Sequence, residues 1–359
     1  MPDQTPTLIF IYEPEKACFD RLVADGFPTA RAAEISSYLA QSTDIAPEFG
    51  AMEAACVRRG LRFEPVALDD AATALAGRDP KNTLVWTISD GVAYFRGSAG
   101  PALARLNGLP TLGSDDSLFA LCQDKFRSGA VLAALDMPVP QAGLARDGRW
   151  LVEPPASASG YFVKPNRLGA KIGIYADSRC ETAGHALELS RRVFAAYRDD
   201  VIVQPYVAGR NVRLSFLGLT PDAGAEALGI FFVDSGGDFQ TMEDSLALYG
   251  ETGAEARVAG SYAEPELVPV VASQPVAAQR IRLIATQLMQ ALGLRDVFSM
   301  DFRVEVDDTV HLIEFEVCPG LPCFDFRAYC RAQWGLELAE AIAATAASRF
   351  QALAIQTAV

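Results

Sequence analysis

Ser299-Met-Asp-Phe-Arg-Val-Glu-Val-Asp-Asp-Thr-Val-His-Leu-Ile-Glu-Phe-Glu-Val-Cys-Pro-Gly320 is the stretch whose reading decides the fold. Apolar and other residues alternate on either side of Asp307-Asp308, the pattern of two strands joined by a tight turn. Successive side chains of a strand point to opposite faces, so Ser299, Asp301 and Arg303 share one face of the first strand, and Glu314 and Glu316 share a face of the second. If those faces coincide, three carboxylates converge in a hairpin otherwise built from Phe298, Phe302, Leu312, Ile313 and Phe315. Like charges so placed repel, and withdrawing each from water costs several kcal/mol unless a cation compensates. Hard oxygen donors with no paired His or Cys suit Mg²⁺ or Mn²⁺, and Mg²⁺ commonly bridges carboxylates and nucleotide phosphates. A solvated acidic strand edge is the competing reading of this stretch taken alone.

The rest of the composition narrows the class. The 359 residues exceed one ordinary core and imply two or three domains. A net charge of −14 with no basic stripe argues against a nucleic-acid partner, although a nucleotide needs only a local cradle. Seven scattered cysteines form no CxxC pair, and His185 and His311 are the only histidines, which disfavours a zinc site or a disulfide framework and suits a reducing compartment. The N-terminus lacks a charged-then-apolar signal pattern and no apolar run reaches membrane-spanning length, so a cytoplasmic protein without a membrane partner is expected. Lysine is scarce: Lys16, Lys81, Lys125, Lys164 and Lys171 stand against 26 arginines, and three of the five fall within 47 residues. A lysine gives a compact charge that contacts phosphate without a planar fork.

Read in order, Thr7–Tyr12 is a buried strand, residues 28–60 are mainly helix, and 63–68 and 83–88 are further strands, with a helix over 102–107 closed by Gly108. Strands alternating with helices predict a parallel, doubly wound sheet in a first domain of residues 1–112. Ser114 or Asp115 caps a helix reaching Leu121, and a second helix covers 124–135. An extended segment follows Pro140, then come a strand at 160–165, a glycine-bearing loop at 166–173 and a helix over 181–197. The strand at 201–207 carries Pro205, which belongs at an edge or an end. Residues 211–217 and 227–233 form two antiparallel strands, 234–266 is a long polar loop, and helices cover 276–292 and the chain from 336.

Taken together, Gln123-Asp-Lys125, Phe162-Val-Lys-Pro165 with Gly169 to Gly173, Val203-Gln-Pro-Tyr-Val-Ala-Gly209 and Asp301…Glu314-Phe-Glu316…Pro319-Gly320 resemble the ATP-grasp ligases, and within them the D-alanine–D-alanine ligases. The resemblance runs along residues 83–345 and rests on four motifs in family order. It implies an α/β and α+β architecture: a Rossmann-like N-terminal domain (1–112), then a two-subdomain ATP-grasp fold, central (113–206) and C-terminal with the metal-binding hairpin (207–359). It further implies an amide bond made from a carboxylate and an amine through an acyl phosphate, with release of ADP and phosphate. Lys125 and Lys164 match the two phosphate lysines, and Asp301, Glu314 and Glu316 match the ligands of two Mg²⁺ ions, with Mn²⁺ as substitute. Gln204, Pro205, Tyr206 and Val207 lie where adenine is held, Asn211 lies where the family has a ribose-binding glutamate, and Gly169 opens the loop that closes over the phosphates. Small-molecule substrates and, as often in the family, a homodimer are implied.

The departures fall on the substrate side. Ala170-Lys171 replaces a pair of serines, and leucine stands before Tyr249 where the family has lysine, so Lys171 is expected to supply that charge. Ser299 replaces an arginine that steadies the tetrahedral intermediate, for which Arg303 or Arg213 would substitute beside the Gly320 N–H as oxyanion donor. Asp325 replaces a serine that contacts the acceptor carboxylate, and Glu34, in Ala33-Glu-Ile-Ser-Ser37, matches an anchor for a substrate ammonium. These changes lead to the expectation of a specialised amino-acid ligase in natural-product assembly; a true D-alanine–D-alanine ligase and a catalytically inactive nucleotide-binding protein are the alternatives.

Overall fold

The structure, a computed structural model, describes residues 5–43, 45–88, 96–169, 171–233, 239, 241–242, 267–319 and 324–357. Tyr249, Leu248, Gly320 and most of the 234–266 stretch lie outside the described residues, as does the side chain of Asp325. Strands β1 (Thr7–Tyr12), β2 (Arg62–Ala67) and β3 (Thr83–Thr87) form a parallel sheet in the order β2-β1-β3. Parallel strands are buried on both faces, and Leu8, Ile9, Phe10 and Ile11 are accordingly fully buried. On one face Leu8, Phe10 and Trp86 pack with Met52 and Cys56 of α3 (Phe49–Arg58) and with Ile342 and Ala343 from the far end of the chain. On the other, Ile9, Ile11 and Val85 meet Leu75 of α4 (Ala71–Leu75) and Ala104 of α5 (Ala99–Leu106).

The expected helix over 28–60 is two helices, α2 (Thr29–Thr43) and α3, and it is preceded by α1 (Glu15–Ala24), which the sequence pattern did not reveal. Helix α1 buries only Cys18 and Leu22, too few for a periodic stripe, and no side chain caps it. Rather than cover the parallel sheet, α1 and α2 lean on the next layer, where Leu22, Ile35 and Leu39 join Tyr161, Val163 and Val203.

That layer is a five-stranded sheet in the order β5-β4-β8-β6-β7: β4 (Gly143–Arg146), β5 (Arg149–Val152), β6 (Tyr161–Pro165), β7 (Arg179–Cys180) and β8 (Val201–Pro205). Before it come α6 (Asp116–Cys122), capped by Asp115 accepting from the Leu118 N–H at 2.9 Å, and α7 (Lys125–Ala134), capped by Asp124 accepting from the Arg127 N–H at 3.0 Å. Helix α8 (Ala183–Tyr197) backs the sheet. Strand β8 is central, not at an edge, and tolerates Pro205 because it is the last residue of the strand.

The third sheet, also five-stranded, has the order β11-β10-β9-β12-β13: β9 (Arg210–Leu217), β10 (Gly229–Val233), β11 (Leu267–Pro269), β12 (Val297–Val304) and β13 (Val310–Glu316). Helix α9 (Pro275–Leu292) lays Ala277, Ile281, Ala285 and Leu288 onto its core face, against Leu214, Phe216, Phe298 and Phe302. The final helical stretch is α10 (Phe324–Trp334) and α11 (Leu338–Thr357), the second starting two residues after the expected Leu336. Burying each phenylalanine of the hairpin contributes about 1.5–3 kcal/mol. A slip of one residue would forfeit that and bury the acids instead, so the core face fixes the register.

Candidate active site

The hairpin register brings the acids together across strands. Asp301 pairs with Glu314 and Ser299 with Glu316, while on the other side of β12 Asp301 faces Arg213, Ser299 faces Ser215 and Arg303 faces Asn211. Asp301 pairs with Glu314 but Phe302 with Leu312, which leaves Ile313 as an extra residue opposite that step. A bulge of this kind shifts the alternation. It puts His311, Glu314 and Glu316 on the polar face while Val310, Leu312 and Phe315 stay in the core.

Each acid has a cationic partner. The Arg213 Nη1 donates to both Asp301 oxygens at 2.7 and 2.8 Å, and its Nη2 stands 3.5 Å from Glu316. Lys164, from the central sheet, donates to Glu314 at 3.1 Å, with the Lys125 ammonium 3.8 Å away. Burial alone would raise the Glu314 carboxyl, but the two lysines outweigh it and hold it down at about 2. Among the described residues no three acidic, histidine or cysteine side chains already gather around one point. The expected convergence is a row of acids closed by lysine and arginine. Its donors are hard oxygens and fit Mg²⁺ in kind, once the cations turn aside.

Lys125 opens α7, and its place is set by residues that the sequence reading missed. The buried Asn166 side chain accepts from the Phe126 N–H at 2.8 Å, its carbonyl accepts from the Lys125 N–H at 3.1 Å, and the Lys125 ammonium donates to the Leu168 carbonyl at 3.0 Å. Asp199, also buried, accepts from the Arg167 N–H at 2.7 Å and from its Nε at 2.8 Å. Burial pushes the Asp199 carboxyl up, against the pull of Arg167. A polar residue directly after Lys164-Pro165 was the available signal, but only tertiary contacts reveal its partners. Beyond it the loop turns through Lys171 at φ +63° and Gly173 at φ +72°, where an added Cβ would lie 2.6 Å from the Pro165 Cγ. The Ile172 N–H donates to the Gly169 carbonyl at 3.0 Å.

At the far end of β8, Gln204 is buried and Tyr206 extends the pairing with β6, its N–H donating to the Gly160 carbonyl at 2.9 Å. Arg303 is only 8% exposed and turns to this segment, donating to the Val207 carbonyl at 3.2 Å, the Asn211 Oδ1 at 2.8 Å and the Tyr206 hydroxyl at 3.3 Å. Arg303, expected as one substitute for the missing arginine, thus directs its fork to the Tyr206–Asn211 segment. Ser299, a candidate substrate contact from the sequence, is fully buried and donates its hydroxyl to Glu316 at 3.3 Å. Glu34 is half-buried on α2. It receives Arg31 Nη1 at 2.5 Å and the Tyr197 hydroxyl at 2.8 Å, and burial together with Tyr175 and Glu34 raises the Tyr197 pKa.

Comparison with known proteins follows the same lines. The family model described as D-ala D-ala ligase C-terminus matches residues 152–345. A D-alanine–D-alanine ligase of Geobacter sulfurreducens is 28% identical over 261 residues, 70% of this chain and 74% of the relative. A putative D-alanine–D-lactate ligase of Streptomyces coelicolor is 28% identical over 250 residues, 68% of this chain and 66% of the relative, just under two thirds of its length. Among solved structures, the D-alanine–D-alanine ligase from Bacillus anthracis complexed with ATP superposes with a TM-score of 0.63 at 14% identity, covering 98% of this chain and 99% of that one. The VanG D-Ala:D-Ser ligase from Enterococcus faecalis gives a TM-score of 0.56 at 15% identity, over 96% and 99% of the two chains. At such identities the superpositions speak for the fold. The family match spans more than half of the 359 residues, and the chain belongs to the D-alanine–D-alanine ligase family of ATP-grasp, ADP-forming carboxylate–amine ligases.

Proposed function

We propose that the chain activates an amino-acid carboxylate with ATP and joins it to the amine of a second small molecule other than D-alanine. The observation that carries this reading is the meeting of Lys164, from the central sheet, and Lys125, from the start of α7, with Glu314 in the acid row of the C-terminal sheet. A carboxylate oxygen attacks the γ-phosphorus as the bond to the ADP oxygen breaks. The amine nitrogen then attacks the acyl carbon, phosphate leaves, and the amine gives up a proton. Bringing two anions together demands cations placed beforehand, a role that Lys125 and Lys164 would fill. Asp301, Glu314 and Glu316 would hold Mg²⁺, which when bound supplies the remaining neutralisation of the phosphates. Gln204 to Val207 would receive adenine, propped from behind by Arg303, with Asn211 near the ribose. The loop from Gly169 to Gly173 would cover the phosphates, with Lys171 at its turn.

In this reading the division of labour follows 1–112, 113–206 and 207–359. Glu34 would anchor the ammonium of the first substrate, while Tyr249, Asp325 and the Gly320 N–H belong to the acceptor side. Serine at 299, where the family has arginine, supports an acceptor different from D-alanine. A plain D-alanine–D-alanine ligase is the second reading, favoured by relatives of that name in Geobacter sulfurreducens and Caulobacter vibrioides. Among the described residues no helix is long and apolar enough to cross a membrane. The deciding experiment measures ADP release over pairs of L- and D-amino acids, hydroxy acids and amines, with the product mass of every hit. Release with D-alanine alone, yielding the dipeptide at the highest rate of the panel, would sink the specialised acceptor.

A further inference from the structure

Arg213 sits on β9, the middle strand of the C-terminal sheet, directly opposite Asp301. Its guanidinium spans two of the three acids of the row, with Nη1 on both oxygens of Asp301 at 2.7 and 2.8 Å and Nη2 at 3.5 Å from Glu316. The third acid, Glu314, is held by Lys164 at 3.1 Å and Lys125 at 3.8 Å. Among the described residues these three carboxylates thus meet Arg213, Lys164 and Lys125, and each acid has a cation beside it before any ligand arrives. Val212 and Leu214, on either side of Arg213, are buried in the core, so the strand is pinned and only the side chain can move.

A divalent ion arriving alone would find its oxygens occupied. It would have to lift the guanidinium off Asp301 and leave uncompensated positive charge in a half-buried cleft. An ion arriving with a triphosphate meets no such obstacle, because the phosphates supply the negative charge and give the displaced cations somewhere to turn. We propose that Arg213 is a positioning residue of this kind: an internal counter-cation that keeps metal out of the nucleotide-free enzyme and releases Asp301 and Glu316 only when metal and nucleotide enter together. The inference rests on the ligase function proposed above and adds to it an obligatory joint entry of the two ligands.

Mn²⁺ is the probe, and free ion read by electron paramagnetic resonance is the measurement. Nucleotide-free wild type should take up Mn²⁺ weakly. Arg213→Ala should bind it roughly tenfold or more tightly without nucleotide, since a unit charge at contact distance has been removed, and Arg213→Lys should fall between. With a non-hydrolysable ATP analogue present, the wild type should bind Mn²⁺ tightly and its difference from Arg213→Ala should shrink. Equal Mn²⁺ uptake by the nucleotide-free wild type and Arg213→Ala, with joint binding of Mn²⁺ and analogue intact, overturns the role of Arg213 and leaves the ligase reading standing. Failure of the wild type to bind Mn²⁺ and analogue together removes both. If Arg213→Ala does not fold, the wild type and Arg213→Lys still decide, because tight nucleotide-independent Mn²⁺ binding by the wild type contradicts the inference.

Discussion

Two five-stranded antiparallel sheets build this cleft, and they contribute in opposite ways. The C-terminal sheet offers a face: Arg213, Asp301 and Glu314 lie side by side on three neighbouring strands, their backbones locked by a core of Phe298, Phe302 and Phe315 beneath. The central sheet offers ends: Lys164 lies near the close of β6, Lys125 comes from a helix outside the sheet, and the Tyr206-Val207 segment lies just past β8. Groups on a face inherit their geometry from the register, whereas groups at ends need further bonds to hold them. Asn166 and Asp199 supply those bonds here.

The largest effect should come where the two sheets touch. Lys164→Gln removes the ammonium 3.1 Å from Glu314 and leaves that carboxylate half-compensated by Lys125. ADP formation should drop by roughly 100- to 1,000-fold, the scale of losing a preorganised charge at a phosphoryl-transfer site. Glu314→Gln should cost a similar factor, and the double variant should lose much less than the product of the two, because the side chains form one unit. Independent, multiplicative losses would mean that the contact between the sheets is incidental.

Legibility in the sequence follows the same contrast. Residues on a face betray themselves by alternation, so Asp301, Glu314 and Glu316 could be picked out in advance, as could most strands and the parallel first sheet. The bulge at Ile313 could not, since an extra residue leaves no mark of its own in a short apolar run. Nor could the destination of Arg303. Alternation tells which face a side chain is on but not which way a long arginine bends along it, and this one bends to Val207 and Asn211. Helix α1 was invisible because two buried residues make no stripe, and Asn166 and Asp199 because their partners lie 32 to 40 residues away in a loop or a helix terminus.

A middle-sized effect tests whether ends really depend on such bonds. Asn166→Ala deletes the acceptor of the Phe126 N–H and leaves the start of α7 tied to the loop after Lys164 only through the bonds of Lys125 to backbone carbonyls. The KM for ATP should rise about tenfold, equivalent to one buried hydrogen bond lost, with a smaller change in kcat. Asn166→Asp, which keeps an acceptor oxygen, should recover much of the loss. An Asn166→Ala variant with unchanged KM for ATP would show that the end of the central sheet is as self-sufficient as a face.

The smallest effect separates the two sheets by their response to acid. The Glu314 carboxyl is held at about 2 in the folded chain, by Lys164 and Lys125 against burial, compared with an ordinary 4.5. A depressed folded value means that the unfolded chain takes up the proton first, so the stabilisation is complete above 4.5 and drains as pH falls from there towards 2. Asp199, at the end of the central sheet, has its carboxyl raised by burial and works in the opposite sense, costing less as pH falls. In nucleotide-free protein the wild type should therefore lose a few tenths of a kcal/mol relative to Glu314→Gln on going from neutral pH to 4.5, where half of the unfolded-state carboxyl is protonated. Urea unfolding of both proteins across that range measures the difference directly. Parallel curves would mean that the lysines do not hold Glu314 down, and that the link between the acid-bearing face and the lysine-bearing ends carries no charge coupling in the free enzyme.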